Sequence, residues 1–124
     1  MSNDNTNFSF AEMNAAVDIL IAVIALDKNI DQSEIDQFKF ELNSAHFAEQ
    51  QHLKAAAISY VENVLPDSIE AFDQQFISER AQLVTSKELQ KTVVMAALAI
   101  AHADDDYHDD ERTAVKSLRN HWSI

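Results

Sequence analysis

Two stretches of this sequence place carboxylates and imidazoles at the close spacing a metal ion requires. The first holds Asp27, Asn29, Asp31 and Glu34, and the second holds Asp104, Asp106, His108 and Glu111. Alternating oxygen donors suit calcium, magnesium or manganese, and imidazole shifts the preference toward zinc. The second stretch is the denser. Asp104, Asp105, Asp106, Asp109, Asp110 and Glu111 put six carboxylates within eight residues, and a counter-ion would relieve their repulsion. Neither stretch is an EF-hand loop, which needs glycine at position six and a bidentate Glu at position twelve. Counted from Asp27 those positions hold Gln32 and Phe38; counted from Asp104 they hold Asp109 and Val115. A divalent-cation site is therefore expected at Asp104, Asp106, His108 and Glu111, with Asp27, Asp31 and Glu34 as its counterpart. The competing explanation is helix capping: Asp31 as N-cap with Glu34 three residues on, each carboxylate favoured by the helix dipole by roughly 0.3–1 kcal/mol.

Other chemistries are poorly supplied. The chain has no cysteine, which excludes disulfides, thiolate catalysis and cysteine-built zinc sites. It has no glycine, which excludes phosphate-cradling loops that need close backbone approach. No serine has an activating base marked out by sequence. Glu49 and His52 form a single Glu-x-x-His, whereas a di-iron bundle uses two such pairs plus two further glutamates. The expectation is a protein without a catalytic site.

The elements that would position the acidic stretches follow from caps and periodicity. Ser9/Glu12, Asp31/Glu34, Asp67/Glu70 and Thr85/Glu88 fit the capping-box spacing, and Ile30/Ile35 and Val84/Leu89 fit the hydrophobic staple. Pro66 stops the helix before the Asp67 cap. Helices are expected near 10–26, 32–43, 46–65, 68–83, 86–103 and 109–122. The first and fifth are apolar all round, as central buried helices are, and their alanines permit close approach. The others show an apolar stripe at helical spacing, such as Ile35, Phe38 and Leu42. Trp122 and Ile124 either dock on this core or form a contact surface. The fold expected is an all-α, compact single-domain bundle of six to seven helices over residues 8–124, after a disordered tail at 1–7. Its helix–acidic turn–helix unit occurs twice, with Glu34 and Glu111 offset by 77 residues.

The net charge of −12 repels nucleic acid and anionic membrane surfaces and favours cations or a basic protein partner. The polar start of the chain has no signal-peptide n-region. The longest apolar run, residues 93–101, is about half of a membrane span. A cytoplasmic protein with no membrane insertion is expected.

The repeated pattern, an alanine-rich helix followed by Ala/Leu-x-Asp-x-x-Ile/Tyr-x-x-x-Glu, resembles the TerB-like family of tellurite-resistance proteins and of domains fused to J-domain co-chaperones. The resemblance runs from Phe8 to Trp122. The family turn reads Ala-Asp-Gly; this chain has Lys28 and Asp105 at the glycine position. The resemblance implies an all-α fold with pseudo-symmetric helix pairs and a role in tellurite or general stress response through association with other proteins. It brings no catalytic reaction. Two functions of different class remain. One is an interaction module tuned by a divalent cation at the acidic turn. The other is an acidic decoy that mimics nucleic-acid charge on a basic partner. Carboxylates converging on one turn serve the first; carboxylates spread over a face at phosphate-like spacing serve the second.

Overall fold

The structure, a computed structural model, describes residues 9–26, 30–43, 47, 50–103 and 109–124. Among the described residues there are six α-helices, two short 3-10 turns and no strand. The helices are α1 (Phe10–Ala25), α2 (Gln32–Leu42), α3 (Gln51–Asn63), α4 (Gln74–Ala81), α5 (Lys87–Ala101) and α6 (Asp109–Trp122). The all-α class expected from the sequence is the one observed. The first residues of α2 and α6, Gln32 and Asp109, keep the same 77-residue offset as the sequence repeat. The tail expected at 1–7 lies outside the described residues.

α1 is the centre. Every residue from Ile19 to Ala25 is buried, and the helix packs on α2, α3, α4 and, most extensively, α5. Ala22 and Ala25 on α1 and Ala97 and Ala101 on α5 are completely enclosed, as residues small enough for close helix approach should be. α2 and α6 lie outside this pair and bury one stripe each. On α2 it is Glu34, Ile35, Phe38 and Leu42; on α6 it is Glu111, Ala114, Val115, Leu118 and Trp122. Trp122 docks on the core, and its indole N–H donates to the Ala81 carbonyl at 3.1 Å.

Helix ends are held partly by local caps and partly across the fold. Ser9 caps α1, its hydroxyl accepting from the Glu12 N–H at 3.1 Å. The Glu12 carboxylate accepts in turn from the Ser9 backbone N–H and completes the expected box. It crosses to α5, where one carboxylate oxygen accepts from the Thr85 N–H (2.8 Å), the Thr85 hydroxyl (3.0 Å) and the Ser86 N–H (2.9 Å). Ser86, not Thr85, is the N-cap of α5, and its own side chain makes no cap bond.

Two further boundaries depart from expectation. α3 begins at Gln51 instead of near 46. The Asp67/Glu70 pair starts no helix: Leu65–Asp67 and Ile69–Ala71 are 3-10 turns, and Phe72 is extended (φ −105°, ψ 125°). The break lets the Phe72 ring pack edge-on against Tyr60 (centroids 6.3 Å apart) and Phe76 (4.9 Å). Burial of an aromatic ring outweighs a local cap. Asp73 then becomes the N-cap of α4, accepting from the Phe76 N–H at 2.9 Å.

α6 ends in a Schellman turn. The Ile124 N–H bonds to the Arg119 carbonyl (3.0 Å) and the Ser123 N–H to that of Asn120 (3.4 Å), with Ser123 at φ 59°. Among the described residues no helix is long and apolar enough to cross a membrane.

Candidate functional site

The acidic turns connect α1 to α2 and α5 to α6. Of the seven residues expected to hold a cation, Asp27, Asp104, Asp106 and His108 lie outside the described residues. Asp31, Glu34 and Glu111 are described, and they are not alike.

Asp31 is the N-cap of α2. Its carboxylate accepts from the Ser33 N–H at 2.8 Å and from the Ser33 hydroxyl, and its carbonyl accepts from the N–H groups of Glu34 and Ile35. Bonds from the Ser33 hydroxyl and then the Ser33 N–H hold its carboxyl below the ordinary aspartate range. This is the capping role the sequence indicates.

Glu34 and Glu111 were expected as ligands or cap partners at the surface of a turn. Both side chains are instead fully buried, at 0% exposure, each in the first turn of its helix and 77 residues apart. Removing a carboxylate from water costs several kcal/mol unless it is well paired. The helix dipole returns at most about 2 kcal/mol in a buried geometry. Each glutamate is accordingly held by hydrogen-bonding or electrostatic contact. The two neighbours of Glu111, Asp109 and Asp110, are exposed. The Gln74 side-chain amide donates to the Asp110 carbonyl at 2.9 Å and ties this turn to α4. Each acidic turn is thus followed by a carboxylate fixed in the protein interior. Among the described residues no three His, Asp or Glu side chains gather into a metal-binding group. His102 is the C-cap of α5 and is exposed. Of the Glu49/His52 pair, Glu49 lies outside the described residues and His52 is exposed.

A family model described as tellurite resistance protein TerB matches residues 13–122. The chain belongs to the TerB family. The match takes in all of α2, α3, α4, α5 and α6 and most of α1, so both acidic turns lie inside the TerB region. No curated protein and no solved structure matches the chain.

This TerB domain also has a concavity that sequence reasoning did not single out. A groove of about 290 Å³ runs between α1, α3 and the segment from Phe72 to Arg80. Tyr60, Phe72 and Phe76 form its aromatic wall. The Arg80 guanidinium lies 4.2 Å over the Phe76 ring, and its Nε donates to the Asp18 carboxylate at 3.1 Å. Burial pushes the Asp18 carboxyl up, and the Arg80 bond and charge only partly offset this. The pair neutralises itself against an aromatic surface. It offers neither a nucleophile nor an unengaged base, and the groove reads as packing around a half-buried ion pair.

The burial of Glu34 and Glu111 had a legible signal. Glu34 stands one turn before Phe38, and Glu111 one turn before Val115, so each is in phase with the apolar stripe of its helix. Polar identity masked an inward-facing position.

Proposed function

We propose that this TerB domain is a non-catalytic, cytoplasmic protein-interaction module of a tellurite or stress response. In this reading its surface is tuned by a divalent cation held at residues 104–111. The supporting observation is the pair of fully buried glutamates, Glu34 and Glu111, at equivalent positions behind the two acidic turns. A solvated cap has no need of a buried charge, whereas a carboxylate anchored in the interior fixes the turn beside it at a constant geometry. Oxygen donors from aspartate and glutamate select calcium, magnesium or manganese, and His108 brings zinc into range. Neutralising the turn would change the field seen by a protein partner, which in this reading is basic where it meets the acidic turns.

Calorimetric titration with calcium, magnesium, manganese and zinc at about 150 mM salt, where long-range screening is largely complete, tests the proposal. Saturable binding that disappears in the Asp104→Asn/Asp106→Asn double variant is the expected result. Heat that is unsaturable, or unchanged in the double variant, refutes the cation site and leaves the turns as caps.

A further inference from the structure

We propose that the groove between α1, α3 and the segment from Phe72 to Arg80 binds an uncharged planar molecule of one or two rings, with a carbonyl beside an N–H on its edge. The proposal concerns a face of the domain apart from the acidic turns and does not depend on a cation.

The groove is built at helical spacing. Its lining on α1 runs from Asn14 to Ile21 in steps of three, one and three residues, and its lining on α3 runs from Leu53 to Tyr60 in the same steps. Phe72, Phe76 and Arg80, four residues apart, form the remaining side. α3 and α4 both pack on α1. The α3 stripe leaves the room, because its two middle residues are Ala56 and Ala57, whose methyl groups fill little of the space between Leu53 and Tyr60. The hollow that remains, about 290 Å³, suits a molecule at the small end of the range that such sites hold.

The Asp18–Arg80 pair excludes acid–base chemistry here but does not fill the hollow. The Arg80 Nε donates to one Asp18 oxygen at 3.1 Å. Among the described residues the Arg80 Nη groups and the second Asp18 oxygen make no hydrogen bond, and none of these atoms is sealed from solvent. Stacking on Phe76 covers the flat face of the guanidinium and leaves its in-plane donors available. The groove therefore offers N–H donors next to an oxygen acceptor, beside an aromatic wall. That wall is set in advance. Phe72 packs edge-on against Tyr60 and Phe76, and the Tyr60 hydroxyl is hydrogen-bonded to that of Ser68 at 3.0 Å.

Charge selects the occupant. Asp18 and Arg80 are the charged residues of the lining, and they balance. An anion meets the −12 field of the whole molecule, and a cation meets the Arg80 guanidinium. An uncharged molecule meets neither opposition. Its N–H donates to the unbonded Asp18 oxygen and its carbonyl accepts from the Arg80 Nη groups, so neither polar group is buried unpaired. Its flat body lies against Tyr60, Phe72 and Phe76. A tryptophan reaching in from a partner protein has the flat body and a donor, but no ring acceptor for Arg80.

Titration of the full, isotope-labelled chain with carbostyril, the two-ring lactam of quinoline, tests the proposal by nuclear magnetic resonance. Saturable amide shifts are expected within residues 14–21, 53–60 and 72–80. The dissociation constant should be on the order of 1 mM for a molecule this small. The N-methyl derivative, which has lost the donor, should bind at least about fivefold more weakly, and so should the naphthoate anion. Ala56→Trp fills the groove from α3 and should abolish binding. Ala55→Trp, at the neighbouring exposed position outside the lining, should change it by less than about twofold. Arg80→Lys keeps the charge opposite Asp18 but removes the in-plane donors, and should weaken lactam binding several-fold. Thermal unfolding verifies that the variants fold. Five results would overturn the proposal: no saturable shift, shifts centred outside the three segments, equal binding of carbostyril and its N-methyl derivative, tighter binding of naphthoate, or equal binding by the two tryptophan variants.

Discussion

Glu12 secures two helix termini. In the first turn of α1 its carboxylate accepts from the Ser9 N–H, and it also supplies the N-terminal bonds of α5 by accepting from Thr85 and Ser86. Burial pushes its carboxyl up, but the bonds from the Thr85 and Ser86 N–H groups, the Thr85 hydroxyl and the Ser9 N–H outweigh this, and it lies below the ordinary value of 4.5. A depressed folded-state value means that the stabilisation is present above the unfolded value and is lost as pH falls through the folded one. Glu12→Gln is expected to cost about 1–2 kcal/mol at neutral pH, a cap's worth, with the gap to wild type closing as pH falls below the ordinary glutamate range. Urea unfolding of both proteins across that range measures it. Ser123 is the opposite case, a residue in a conformation that suits glycine better. With φ at 59° in the Schellman turn, Ser123→Gly should stabilise the protein by about 1 kcal/mol in the same assay. The composition makes this position visible only in hindsight. A chain without glycine gives no punctuation at its helix ends, so the left-handed turn at Ser123 could not be read in advance.

At the scale of elements, what was legible was local and what was not was tertiary. α1, α2 and α6 begin at the expected residues because Ser9, Asp31 and the acidic run before α6 mark their starts. α4 does not, because the signal at Asp67 and Glu70 competes with the packing of Phe72 against Tyr60 and Phe76, which involves residues on different elements. The 77-residue offset, by contrast, carries through from sequence to helix starts and to the two interior glutamates. The inward phase of Glu34 and Glu111 could be read from Phe38 and Val115; that a carboxylate would be retained there could not. The last helix is joined to the rest by apolar packing and by polar contacts at both ends: the Gln74 amide on the Asp110 carbonyl, the Lys87 ammonium on the Trp122 carbonyl, and the Trp122 indole N–H on the Ala81 carbonyl. Trp122→Phe keeps most of the ring area but removes one of the two donors to that carbonyl, the other being the Val84 N–H. It is expected to cost about 0.5–1.5 kcal/mol, read as a lowered thermal midpoint.

Across the whole molecule, charge is sorted rather than spread. The acidic turns carry a dense negative run, while four of the nine cations collect along the α5–α6 groove. The Arg112, Lys116 and Arg119 stripe is visible in the sequence, where it reads as compensation for the acidic turn. Only the fold sets it beside Met95, Leu98 and Ile124 and makes it the wall of a groove. The acidic turns follow the two central helices, α1 and α5, and the first turn of the helix after each carries a fully buried glutamate, Glu34 or Glu111.

The most direct test is therefore the thermal midpoint with and without about 5 mM calcium, magnesium, manganese or zinc, for the wild type and for Glu34→Gln/Glu111→Gln. If the interior glutamates fix the turns that hold the ion, at least one of these cations raises the wild-type midpoint by several degrees in a saturable way, and the double variant loses most of that response. An equal shift in both proteins, or none in the wild type, would contradict the account and make the buried glutamates features of the fold alone.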